Sequence, residues 1–349
     1  MPTRTPPPGR SRKPPRLRPG DLVAVVAPAG PVPHVRLLRG VRELERHGLR
    51  VRLGANVLAR TRYLAGDDTR RAVDLLSLWA HPEVKAVFAA RGGYGTARIV
   101  DALTPAFLRR HPKIFCGFSD NTTIHLACAR AGLVSFHGPM PGWDLASGPG
   151  RAGRVPATAR RLLAASDRPS TQARPGVTRS GGYDEASFRA FLFGEEARGF
   201  EMAPRAGETL VPGRARGRLA GGCLSLIAAA SGCREQLDAR GAILLLEDVI
   251  EPPFRIDRML THLRRSGGLD GVRGIVLGDF PACHPARDAD FTLADVLLDR
   301  LGDLGVPVVW RFPFGHTARA SLTLPLGASA TLQATRRPRL VLEESPVTR

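Results

Sequence analysis

Three short stretches of the 349-residue chain place nucleophilic and acid–base residue types just beyond apolar runs. They are Gly117-Phe118-Ser119-Asp120-Asn121, Glu247-Asp248, and Phe312-Pro313-Phe314-Gly315-His316-Thr317. In open α/β sheets ligands bind beyond the carboxyl ends of the strands, so residues at strand exits are weighed first. A serine between a buried-type strand and a helix start sits where a nucleophile elbow holds its hydroxyl. Backbone N–H groups of the following helix then face a developing oxyanion. The pattern G-x-S-x-G is not completed, because Asn121 replaces the last glycine. Ser, Asp and Asn are also preferred N-cap residues, so Ser119 or Asp120 serves as well as a plain helix cap. Glu247 leaves a run of five apolar residues, at the edge of a dry environment where a carboxylate needs a donor such as an imidazole N–H. The competing reading makes it a helix-start acid ahead of Pro252 and Pro253. His316 lies in a glycine-containing loop, mobile enough for a general base, though a lone loop histidine is more often inert. The order is Ser…Glu…His, and spacing alone does not show that the three meet.

Arg91-Gly92-Gly93-Tyr94-Gly95 follows another apolar run. Three glycines in four positions let the backbone approach a ligand and form an anion-binding concavity; a plain tight turn is an equal reading. It does not match G-x-x-x-x-G-K-[ST], so it is not an NTPase loop. The remaining histidines form neither H-E-x-x-H nor H-x-x-x-H, and no C-x-x-C occurs, which argues against metal coordination.

Several elements must position these residues. Asp21–Ala27, Arg50–Leu53, Val84–Ala90 and Lys113–Phe118 read as strands. Val35–His47 (ending at Gly48), Thr69–Ala80 and Thr122–Ala131 read as helices. Alternation of this kind predicts a mostly parallel sheet covered on both faces. Around Ser147–Gly182 the pattern gives way to Gly, Pro, Ser, Thr and Arg, with one helix-like island at Ala157–Ala165. A second block carries strands at Arg214–Leu219, Ala242–Leu246, Gly274–Leu277 and Val306–Trp310, and helices at Leu224–Ala230 and Arg255–Arg265. Ser321–Leu332 alternates like an antiparallel pair. The expected organisation is a solvated Pro/Arg tail over 1–19, an N-terminal α/β domain over 20–146, and a linker or insertion over 147–212. A C-terminal domain over 213–335 and a tail over 336–349 complete it.

Composition narrows the function classes. At 43% hydrophobic and 24% charged the chain is globular rather than disordered. No apolar run approaches the ~20 residues that cross a bilayer, and Met1–Gly20 lacks the apolar region of a secretory signal. A net charge of +19 raises nucleic acid as a partner. Against it, the arginines are scattered and aromatics make up only 6%, too few for an evident stacking platform. Five cysteines without a close pair suit reduced thiols in a cytoplasm.

Taken together, ordered motifs from about Gly20 to about Leu332 resemble the LD-carboxypeptidase family of serine peptidases. That family holds the murein tetrapeptide carboxypeptidases and the related microcin C immunity peptidases. The motifs include GDLVAVVAPAGPV from Gly20, RGGYG at Arg91–Gly95, GFSD at Gly117–Asp120, HGPM at His137–Met140, and GRLAGGCLSL at Gly217–Leu226. LLLEDV at Leu244–Val249, GIVLGDF at Gly274–Phe280 and PFGHT at Pro313–Thr317 follow. The resemblance implies a mostly parallel, doubly wound (flavodoxin-like) N-terminal domain and a smaller C-terminal α/β domain with a mixed sheet, with the site in the cleft between them. It implies a Ser119–His316–Glu247 triad that removes a C-terminal D-alanine from an L-centre residue of a small murein peptide during cytoplasmic cell-wall recycling. It further implies a homodimer and no metal or organic cofactor. Backbone N–H groups of Gly93 and Asp120 are the oxyanion-hole candidates; Gly92, Tyr94 and Trp143 are substrate-binding candidates. Two alternatives stand beside this: cleavage of a peptidyl- or aminoacyl-nucleotide toxin on the same fold, with Trp143 available to stack on a purine, and a non-enzymatic basic nucleic-acid binder. The chain departs from the family pattern at Cys223, where an asparagine is usual.

Overall fold

The computed structural model of the chain describes residues 11–150, 180–286 and 288–349. Its first half runs β1 (Leu22–Val26), α1 (His34–Arg46), β2 (Arg50–Leu53), α2 (Asp68–Ala80), β3 (Val84–Ala89), α3 (Pro105–Arg110), β4 (Ile114–Gly117), α4 (Thr122–Arg130) and β5 (Ser135–His137). After α5 (Glu185–Leu192) come β6 (Glu201–Met202), β7 (Glu208–Val211), β8 (Gly213–Cys223), α6 (Leu224–Ala229), β9 (Ala242–Glu247), α7 (Pro253–Arg265) and β10 (Gly274–Leu277). The chain closes with α8 (Leu293–Leu301), β11 (Val308–Trp310), β12 (Leu324–Leu326), β13 (Ser329–Ala334) and β14 (Arg339–Leu342).

The first sheet has the order β2-β1-β3-β4-β5, all parallel, with β12 added antiparallel to β5. Its central strands are continuous apolar runs because both faces are covered: Val23–Val26 and Ala86–Ala89 have no exposed surface. Helix α1 buries Leu37, Gly40 and Leu44 at helical spacing, and α2 starts on Asp67, whose carboxylate accepts the Arg70 N–H. The strand order reverses between β1 and β3, where a doubly wound sheet opens a crevice at its carboxyl ends. The loops leaving these two strands meet there, Gly30 donating its N–H to the Gly92 carbonyl at 3.1 Å.

The second sheet runs β6-β14-β13-β8-β9-β10-β11-β7. Strands β8 to β11 are parallel, and antiparallel strands flank them on both sides. Strand β9, with the sequence AILLLE, is buried along its whole length between β8 and β10, so its terminal Glu247 is carried into the interior. One apolar cluster joins the two sheets, running from Val23 and Phe136 through Phe188 and Phe314 to Leu245 and Leu332.

The two-domain α/β architecture matches the expectation, but several boundaries move. Residues 11–19 are not a solvated tail. Arg12 N–H donates to Gly132 O, Leu17 is 1% exposed, and Thr348 N–H donates to Pro14 O, so prolines here lay an extended segment onto the fold. Residues 1–10 lie outside the described residues. The stretch 147–212 is more than a connection. In α5, Phe188, Phe191 and Leu192 at i, i+3 and i+4 enter the shared core, and β6 and β7 edge the second sheet. The helix-like island at Ala157–Ala165 lies outside the described residues. The segment 336–349 contributes β14, whose Leu340 and Leu342 are buried, rather than a tail. Ser321–Leu332 is not an antiparallel pair. At Gly327 the chain turns from β12 in the first sheet to β13 in the second, so each strand pairs elsewhere. The second sheet is mixed, as expected, with eight strands against six in the first. Among the described residues no helix is long and apolar enough to cross a membrane.

Candidate active site

Ser119 leaves β4 with φ of +63°, a conformation that costs a β-carbon-bearing residue about 1–3 kcal/mol and that surrounding contacts must hold. The plain-cap reading fails at this turn: neither the short 3-10 turn Ser119–Asn121 nor α4 has a side-chain cap. Asp120 is buried and instead accepts the Thr96 N–H at 2.8 Å, while its carbonyl accepts the Thr96 hydroxyl at 2.6 Å. Burial raises the Asp120 pKa against these hydrogen bonds. Asn121 Nδ2 donates to Phe118 O at 2.9 Å and to Arg91 O at 3.3 Å. The acid and amide after Ser119 therefore pin the Arg91–Gly95 loop over the turn. Gly92 makes the closest approach: a β-carbon there would lie 2.6 Å from Ser119 Cβ and 2.8 Å from its Oγ. The Gly93 N–H has no acceptor among the described residues. The Asp120 N–H starts the helical turn, where amides lack intrahelical partners.

Glu247 ends β9 with no exposed surface. Its Oε2 accepts the His316 backbone N–H at 3.0 Å and sits 2.7 Å from His316 Nδ1. The loop closes this tightly because Gly315, at φ +65°, has no side chain; a β-carbon there would lie 2.4 Å from Glu247 Cδ. Burial pushes the Glu247 carboxyl up, but the His316 and His137 imidazoles outweigh it and hold its pKa well below the usual range. For His316 burial acts downward, and the Glu247 carboxylate more than reverses it, leaving the pKa raised. The contact thus suits an imidazolium and fixes the tautomer with Nδ1–H toward the carboxylate. Thr317 and Arg319 bond Asp279 and anchor the far side of the loop, Arg319 Nε donating at 3.2 Å. The neighbouring Asp248 is engaged elsewhere. It accepts the Ser225 N–H at 2.7 Å at the start of α6, and burial raises its pKa to about 6.

Ser119 and His316 line one cleft of about 250 Å³ between the two domains. The His316 ring packs edge-on against Phe118, the residue before Ser119, with centroids 5.1 Å apart. Ser119 Oγ and His316 make no hydrogen bond among the described contacts; without substrate such bonds are often long and tighten in the Michaelis complex. Gly92, Gly93 and Trp143 also line the cleft, and the Arg36 guanidinium lies 5.2 Å from the Trp143 ring centroid. Tyr94 is not among the lining residues; it is 48% exposed and packs edge-on against Tyr63. Cys223 is buried behind the site, where its N–H donates to Thr122 Oγ1 at 3.0 Å and burial raises its thiol pKa, so it stays protonated.

His137 received no role from the sequence. It ends β5 opposite Gly117 of β4, is fully buried, and places Nε2 at 3.7 Å from Glu247 Oε1. The rule that strand exits carry chemistry would have found it, had the three-residue strand Ser135–His137 been legible.

A hydroxyl at a strained strand-to-helix turn and a buried imidazole–carboxylate pair thus meet at one crevice of a two-sheet α/β protein. The LD-carboxypeptidase N-terminal domain matches residues 23–138, and the LD-carboxypeptidase C-terminal domain matches residues 216–332. The probable murein peptide carboxypeptidase of Bacillus subtilis is 36% identical over 324 residues, 92% of this chain and 91% of that one. The chain belongs to the LD-carboxypeptidase family. The muramoyltetrapeptide carboxypeptidase of Oxalobacter formigenes superposes with a TM-score of 0.71 at 29% identity, over 93% of this chain and 100% of that one. The microcin immunity protein MccF, in complex with glutamyl sulfamoyl guanosine, shares the fold with a TM-score of 0.79 at 20% identity over 96% and 99% of the two chains.

Proposed function

We propose that this family member is a serine-type LD-carboxypeptidase that releases the terminal D-alanine of murein peptides. The observation that carries the reading is the Glu247–His316 pair at 2.7 Å opening onto the cleft that Ser119 also lines. Ser119 Oγ attacks the scissile carbonyl carbon as His316 Nε2 takes the hydroxyl proton. Glu247 keeps Nδ1 protonated and stabilises the imidazolium. The carbonyl oxygen gathers charge against the Gly93 and Asp120 N–H groups, donors whose removal in such sites costs on the order of 10²–10³ in rate. Collapse of the tetrahedral intermediate breaks the C–N bond, and His316 returns the proton to the leaving D-alanine amine. Water, deprotonated by the same imidazole, then hydrolyses the acyl-enzyme and regenerates the Ser119 hydroxyl.

In cell-wall recycling such an enzyme would trim murein tetrapeptides in the cytoplasm, and the family resemblance extends to a homodimer, which sedimentation velocity tests. A second reading keeps the chemistry and changes the leaving group to a nucleotide, supported by the shared fold of MccF and by the Trp143 ring in the cleft. Mass spectrometry of products from a panel of murein peptides and an aminoacyl sulfamoyl adenosine separates the two. D-alanine release by the wild type, abolished in Ser119→Ala with an unchanged circular dichroism spectrum, is the expected result. Undiminished turnover in that variant rejects Ser119 as nucleophile.

A further inference from the structure

We infer that the Arg91 guanidinium is the anchor for the substrate's terminal carboxylate, and so the residue that makes this cleft an exopeptidase site. The inference rests on the peptidase reading above.

Arg91 is the one permanent cation among the described residues lining the cleft, and no acidic side chain lines it. Its guanidinium makes a single hydrogen bond, from Nη1 to Pro31 O at 3.0 Å. The other guanidinium nitrogens take no acceptor from the described residues and are not sealed from solvent. Other arginines around the site are committed already. Arg319 is bound to Asp279, Arg98 is held by Asp68, and Arg71 donates to Gly95 O and pairs with Asp68. Burial, and after it the neighbouring Arg36, lower the Arg91 pKa, and no carboxylate acts in the opposite direction. A largely buried guanidinium beside a second one carries a desolvation cost that an arriving anion relieves. A carboxylate matches the planar fork of donors.

Position sets the register. Gly92, the next residue, leaves no room for a β-carbon beside Ser119, and the Arg91 side chain lines the same cleft as Ser119. In a bound peptide whose scissile carbonyl lies on Ser119, the terminal carboxylate is one residue further on, about 3.8 Å by the peptide repeat. A guanidinium lining the cleft that Ser119 also lines is placed to meet that carboxylate. A peptide continuing past that residue would put a neutral amide against the guanidinium.

The test is calorimetric titration of Ser119→Ala protein with a murein tetrapeptide and with its C-terminal amide. The titration is repeated in the Ser119→Ala/Arg91→Met and Ser119→Ala/Arg91→Lys backgrounds, after thermal melts confirm matched folding. The expected result is about 10- to 100-fold tighter binding of the acid than of the amide, the range of a charge-assisted hydrogen bond. Met should bring the ratio close to one, and Lys should keep part of it as a point charge without the fork. An undiminished acid preference in the Met variant overturns the assignment, as does failure of the Ser119→Ala protein to prefer the acid. Arg91-dependent binding of an aminoacyl sulfamoyl adenosine, with no preference between acid and amide, moves the anchor to that anion and overturns the carboxylate. Turnover by the wild type is read separately: an acid preference that follows Arg91 without D-alanine release leaves the anchor standing and removes the peptidase reading.

Discussion

His137 Nε2 and Glu247 Oε1 face each other at 3.7 Å across the junction of the two domains, both without solvent exposure. Neither atom has a hydrogen-bond partner at that separation, although buried polar atoms rarely go without one. A closing shift of about half an ångström makes the hydrogen bond. The acid of the proposed triad would then be held by two imidazoles, one from each domain, with His316 on Oε2 and His137 on Oε1. Placement of one domain against the other would thereby be coupled to the orientation of the His316 imidazole of the proposed triad.

Replacing His137 tests that coupling. His137→Leu fills the same buried space without a donor, and kcat should fall by about 10- to 100-fold, the worth of one hydrogen bond to a charged group, with KM little changed. His137→Gln restores a donor and should recover part of the loss. A rise in KM at constant kcat would show that His137 acts on substrate binding rather than on Glu247.

The backbone of Ser119 supplies a second outcome. At φ +63° a serine is strained where a glycine is not. Ser119→Gly and Ser119→Ala should be equally inactive, yet the glycine variant should be more stable by about 1 kcal/mol, read from denaturant midpoints at constant slope. Equal midpoints would show that the turn imposes no cost.

Much of this site was legible because its residues stand at the ends of apolar runs. The runs before Ser119, before Glu247 and before the His316 loop each became a buried parallel strand; Ser119 and His316 reach the cleft, and Glu247 lies buried behind His316. Pairing was not legible. Periodicity gives an element but not its neighbour, so nothing in Leu322–Leu332 foretold that β12 would join the first sheet and β13 the second. Short elements were lost for the same reason. Ser135–His137 is too brief to show alternation, and with it went His137. Tyr94 was drawn in by its place in a glycine-rich loop, but the pinning of Thr96 by Asp120 sends the Gly92–Gly93 backbone, rather than the tyrosine, into the cleft.

The approach of Gly92 to Ser119 predicts a selective lesion. A β-carbon at 2.6 Å from Ser119 Cβ cannot be accommodated without moving the loop or Ser119. Gly92→Ala should lower kcat by at least about 10²-fold, because misplacement by an ångström has that effect on aligned groups. Its melting temperature should stay near that of the wild type, since the loop lies at the cleft surface. Retained kcat would mean that Ser119 has another productive position.

The pH dependence follows from the charge pair, with its sign fixed by the two opposite shifts. His316 must be neutral to accept the Ser119 proton, and its pKa is raised above the ordinary 6.5, with burial opposing and Glu247 prevailing. The rising limb of kcat/KM should therefore lie above pH 6.5. In Glu247→Gln the attraction is lost and burial remains, so the limb should move to lower pH while the plateau drops on the order of 10⁴-fold through loss of the correct tautomer. The same pair shapes stability. Glu247, lowered in the folded state, contributes above its ordinary 4.5 and loses that contribution as the pH falls. His316, raised in the folded state, contributes fully below 6.5 and loses its contribution as the pH climbs through its folded value. Both contributions are present together between about pH 4.5 and 6.5, so the stability difference between wild type and Glu247→Gln should be widest in that window. Chemical denaturation at a series of pH values measures it, and a difference that grows above pH 8 would show that the pair is not ionised as described.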